Sequence, residues 1–142
     1  MDKLHITTKF IGEWPEVRLD ELKRALAGIP RAGSIEVAIR GLGWFPDDRR
    51  PRVLWAGIEG GEPLTMLART TERAVAVLGV PVEDRPYSPH LTLARIREAV
   101  PLDPLRAAVG KTAADFGSFR ATEFSLYLSA EGRYTRLAGF PL

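Results

Sequence analysis

Two histidines occur in this 142-residue chain, and both sit in the same short pattern. The first is His5-Ile6-Thr7-Thr8 and the second is His90-Leu91-Thr92-Leu93, an offset of 85 residues. Each is H-x-T-x in a segment that reads as a strand. Strand period puts His and Thr of each motif on one face, about 6.6 Å apart along the chain, with Ile6, Leu91 and Leu93 on the other. Imidazole titrates near pH 6.5, so at neutral pH one ring can act as base while the other holds a proton. That is a general acid and a general base in one groove. Threonine hydroxyls are hard to ionise without an adjacent base, but they can donate hydrogen bonds to an anionic oxygen. The set suits in-line displacement at phosphorus. One histidine takes a proton from water, the other protonates the leaving oxygen, and Thr7 and Thr92 hold the non-bridging oxygens. A metal site needs a third ligand, and neither motif carries a carboxylate or a second histidine at ligand spacing. No metal and no cofactor are therefore expected.

The elements that must position these residues alternate strands with helices. Leu4–Ile11 reads as a strand, and Pro15 opens a helix running to about Gly28 with Leu19, Leu22 and Leu26 on one face. Ser34–Leu42 and Arg52–Glu59 read as strands. Pro63 starts the clearest helix, with Leu64, Leu67, Ala68, Thr71, Val75 and Leu78 at helical spacing and Gly79 at its end. Ser88–Ile96 is a strand. Asp103-Pro104 opens a helix whose face carries Leu105, Ala108, Val109 and Phe116. Phe119–Ser129 and Arg133–Phe140 close the chain as a hairpin around Ala130-Glu131-Gly132. A histidine-bearing strand, a helix and two strands thus occur twice. The expectation is a single α+β domain over 1–142 with two similar lobes, helices outside and sheets facing a central groove.

Composition narrows the rest. A chain with 45% apolar and 27% charged residues has an ordinary globular balance. With no cysteine there is no thiol catalysis and no disulfide framework. No apolar run approaches the ~20 residues of a membrane helix. The first residues lack a signal-peptide apolar region, which gives a cytoplasmic expectation. Net charge is only +2, but 16 of the 20 basic residues are Arg, a side chain suited to phosphate. Arg49, Arg50 and Arg52 read as a solvated loop beside Asp47 and Asp48. Gly110-Lys111-Thr112 imitates the end of a phosphate loop, but Leu105 stands where its first glycine belongs. Trp55, Phe45, Tyr127 and Tyr134 are candidates to stack a terminal base.

The stretches Leu4–Glu13 and Arg85–Arg95 resemble the two signature motifs of the 2H phosphoesterase superfamily. Within it the chain is most similar to the RNA 2′,3′-cyclic phosphodiesterases, also called 2′-5′ RNA ligases. Supporting stretches are Gly41–Pro46, Arg52–Gly57 and Tyr134–Leu142. The resemblance implies a bilobal α+β fold and metal-free opening of a terminal 2′,3′-cyclic phosphate on RNA to a 2′-phosphate, with 2′-5′ joining as the reverse reaction. It implies His5 as acid to the 3′-oxygen, His90 as base to water, and Thr7, Thr92 and Arg95 as phosphate contacts. Arg95 lies at an odd offset from His90, so it reaches the groove only if a bulge, a strong twist or the strand's end intervenes. Lys9, at an even offset from His5, is the rival cation. Members of the superfamily usually carry a strand and helix before the first motif, which here starts at residue five. The first lobe is therefore expected to lack that pair and to expose apolar surface that a second copy of the chain would cover. Three readings share these residues: the RNA phosphodiesterase, an RNA-end or nucleotide-binding module with little turnover, and a phosphodiesterase for another cyclic or 2′-5′ nucleotide.

Overall fold

The apolar spacing of Leu22 and Leu26, and of Leu64, Leu67 and Val75, becomes two buried helix faces in the computed structural model, which describes residues 5–46, 49–96, 103–111 and 115–142. A 3-10 turn, Glu16–Arg18, leads into α1, Leu19–Ala27, and α2 spans Gly61–Ala76. The strands are β1 (Ile35–Phe45), β2 (Val53–Glu59), β3 (His90–Arg95), β4 (Asp115–Ala121), β5 (Glu123–Ala130) and β6 (Arg133–Pro141), with α3 (Asp103–Lys111) between β3 and β4.

Four strands form an antiparallel sheet in the order β3-β2-β1-β4, and β5 pairs with β6 in a second sheet. Ile35 and Val37 of β1 and Ile58 of β2 pack under Leu64 and Leu67 of α2. Leu22 and Leu26 of α1, Val75 at the far end of α2, and Leu126 and Phe140 of the hairpin form a second cluster. Helix α2 therefore spans both sheets, and Phe124 packs against both clusters. The hairpin turns at Glu131 and Gly132, whose φ of 51° and 74° are the left-handed pair a two-residue turn requires.

Three expectations are corrected. The segment through Ile11 is no strand among the described residues; it makes one isolated antiparallel bridge, Ile6 to Leu91, beyond the β3 edge. Beyond that bridge the chain runs to α2, where the Lys9 ammonium is bonded to Glu72. The run Phe119–Ser129 is two strands, broken at Thr122, whose carbonyl accepts from Leu142 N–H. The break lets the chain leave one sheet and enter the other; Phe116 itself stands in β4, after the end of α3. Finally, the α+β architecture of two antiparallel sheets is as expected, but the sheets are not divided between the two repeat halves. Strands β1 and β2 of the first half hydrogen-bond with β3 and β4 of the second. Asp47, Asp48 and Thr112 lie outside the described residues.

Candidate active site

The Ile6–Leu91 bridge is what joins the two motifs. In antiparallel register it sets His5 beside Thr92 and Thr7 beside His90. Ile6 and Leu91 both pack into the core under α2, so the residues flanking them turn to the opposite face. His5, His90 and Thr92 are half-buried there, and Thr7 is exposed. The four predicted side chains thus occupy one face around a local twofold.

The surroundings of the two rings differ. His90 Nδ1 lies 3.0 Å from the Ser88 carbonyl oxygen. A carbonyl can only accept, so Nδ1 carries the hydrogen and, in the neutral ring, Nε2 is left as acceptor. That is the tautomer a base toward the groove needs. Phe45 meets the His90 ring edge to face at 5.0 Å, and Trp55 lies 5.3 Å beyond Phe45. The wall is built from glycine. A Cβ on Gly43 would fall 2.1 Å from the Trp55 ring, and one on Gly57, opposite His90, would fall 2.2 Å from the Arg40 carbonyl oxygen. The His5 ring instead faces the hairpin, with Tyr134 at 4.5 Å and Tyr127 at 6.4 Å. The four aromatic residues singled out in the sequence therefore line the site in two pairs, one beside each histidine.

Arg95 reaches the same face by a bulge. Thr92 pairs with Trp55, but Ala94 pairs with Leu54 and Arg95 with Val53. Leu93 is the extra residue, and it reverses the alternation. Val53 and Trp55 share a face of β2, so Arg95 shares the face of His90 and Thr92. It is exposed and has no ion pair among the described residues. The rival, Lys9, is corrected: its side chain is 6% exposed, bonded to Glu72 at 2.7 Å and to the Pro81 carbonyl at 2.9 Å. Burial works to raise the Glu72 carboxyl, and the hydrogen bonds from Lys9 and the Glu83 N–H outweigh it, leaving it below its ordinary value. Lys9 is a structural cation.

One residue near the site was missed. The Tyr87 hydroxyl donates to the Thr7 carbonyl at 2.9 Å. Its place three residues before His90 was visible, but its partner 80 positions away was not. Among the described residues no three potential ligands gather as a metal site, and no helix is long and apolar enough to cross a membrane.

Two antiparallel sheets with packed helices, and two H-x-T motifs joined through the Ile6–Leu91 bridge, agree with the 2H phosphoesterases. More particularly, the chain belongs to the 2′-5′ RNA ligase superfamily, whose family model matches residues 2–133. It is 40% identical over 99 residues to an RNA 2′,3′-cyclic phosphodiesterase of Aeropyrum pernix, covering 69% of this chain and 56% of that protein. A protein of the same name from Methanothermobacter thermautotrophicus is 34% identical over 127 residues, covering 88% and 68%. The chain spans only 45% of the Geobacillus stearothermophilus relative. Among solved structures it is similar to Escherichia coli LigT complexed with 3′-AMP, with a TM-score of 0.76, 32% identity, and coverage of 99% of this chain and 78% of that one.

Proposed function

We propose that this protein hydrolyses the 2′,3′-cyclic phosphate at an RNA end to a 2′-phosphomonoester, by acid–base catalysis between His90 and His5. The observation that carries the reading is the Ile6–Leu91 bridge with both imidazoles and both hydroxyls flanking it on one face. His90 Nε2 takes a proton from water as the water oxygen attacks phosphorus. The P–O3′ bond breaks, and the 3′-oxygen takes its proton from His5. Thr7, Thr92 and Arg95 hold the non-bridging oxygens, where charge accumulates. The names of the relatives support the substrate class, and the Ser88-fixed tautomer supports His90 as the base. Reversal at the same site would join RNA ends through a 2′-5′ bond.

The test is hydrolysis of an oligoribonucleotide ending in a 2′,3′-cyclic phosphate, in excess chelator, with the product identified. A 2′-phosphate is expected. A 3′-phosphate would mean that the 2′-oxygen leaves instead of the 3′-oxygen, and no hydrolysis would remove the reading. Pairing of two copies over the first lobe belongs to the same proposal, because Phe10 and Val17 in that half are exposed. Light scattering that gives a monomer at every concentration would remove that part.

A further inference from the structure

Among the described residues the first motif meets the sheet through a single bridge to β3, whereas the second motif lies inside a continuous strand. Catalysis by two imidazoles on one phosphorus demands a fixed distance between them, and a misplacement of about 1 Å can cost about 100-fold in rate. Something must therefore fix the first motif along its length. Two consecutive residues before His90 reach both motifs. The Ser88 carbonyl accepts from His90 Nδ1–H, and the Tyr87 hydroxyl donates to the Thr7 carbonyl. The Tyr87 ring packs into the cluster that holds Ile6 and Leu91, so the hydroxyl is delivered from a fixed base.

We propose that Tyr87 is a positioning residue, whose hydroxyl ties the backbone of the first motif to the segment that also orients His90. The proposal rests on the two-histidine reading above. Burial pushes the Tyr87 phenol up to about 12, so the donor keeps its proton across the working pH range. The role belongs to the hydroxyl alone, since a phenylalanine would keep the ring packing and lose only the tie.

Tyr87→Phe tests this with two readouts. The first is turnover of adenosine 2′,3′-cyclic phosphate well below the melting temperature. The expected result is a kcat about tenfold lower with KM within about twofold, as a loosened reacting geometry would give. A purely structural role would lower the melting temperature and leave kcat unchanged once the assay is cooled. The second readout needs no activity. The chain has only two histidines, so its imidazole proton resonances are assigned by deleting each in turn. His5 lies 4.5 Å from the Tyr134 ring, which makes its resonance a reporter of its position. Tyr87→Phe should shift the His5 resonance and leave that of His90 in place. An unmoved His5 resonance, or an unchanged kcat, overturns the proposal. If the wild-type chain turns over neither the cyclic nucleotide nor an oligoribonucleotide ending in a cyclic phosphate, the two-histidine reading falls, and the resonance alone decides whether the tie exists.

Discussion

At the scale of single residues, His5 and His90 differ in what holds them, and the difference sets their expected behaviour. Each substitution to Ala should lower kcat/KM by about 100-fold or more, the range of positioned acid–base groups. The wild-type profile should be bell-shaped, and each variant should lose a different limb; a pH–rate series on a cyclic nucleotide reads this out. Thr92→Ala should cost about 100-fold in kcat, as loss of an oxyanion donor does, with little change in melting temperature. Arg95 gives the sharper test of geometry. Because it is exposed and has no ion pair among the described residues, Arg95→Ala should leave the melting temperature within a degree or so while raising KM for the cyclic phosphate several-fold. An unchanged KM would mean that the Leu93 bulge aims the side chain at solvent rather than at substrate.

At the scale of elements, the histidine motifs and both long helices were legible, because H-x-T pairs and apolar spacing are local signals. What escaped were the side-chain directions set by distant partners. Lys9 looked like a groove cation by strand parity, yet it answers to Glu72 across 63 positions. Arg95 faced the other way by the same rule unless a bulge intervened, and a one-residue bulge at Leu93 sets it on the face of His90. Both cases have one cause: side-chain alternation predicts a face only while the register is unbroken. The Lys9–Glu72 pair carries its own prediction. Folding holds the Glu72 carboxyl below its ordinary value of 4.5. The folded state thus binds that proton less readily than the unfolded chain. Its stabilisation is complete above about pH 4.5 and fades as pH falls through the lower folded value. Lys9→Met should therefore cost about 1–3 kcal/mol near pH 7. It should also flatten the acid end of the stability curve, measured by urea unfolding at stepped pH. A variant as stable as wild type, with the same acid slope, would make the pair incidental.

At the scale of the whole molecule, the repeat in sequence suggested two lobes, but sequence adjacency does not choose strand partners. The sheet that carries His90 takes two strands from each half of the chain, and the hairpin facing His5 comes from the C-terminal end. Helix α2 places Leu64 and Leu67 in one apolar cluster and Val75 in the other, and Phe124 belongs to both. Two clusters that share a helix and an aromatic side chain cannot lose packing one at a time without exposing the shared residues. Unfolding should therefore be one cooperative transition. Tryptophans report the two regions separately: Trp14 packs against the cluster under the hairpin, while Trp55 lies in the β2 wall beside His90. A variant keeping only Trp14 and a variant keeping only Trp55, each with the remaining tryptophans changed to Phe, should show fluorescence transitions that coincide with loss of far-ultraviolet dichroism in urea. If the Trp55 transition came at lower urea than the dichroism change, the four-stranded sheet would open on its own, and the groove would be built from two units that fold separately.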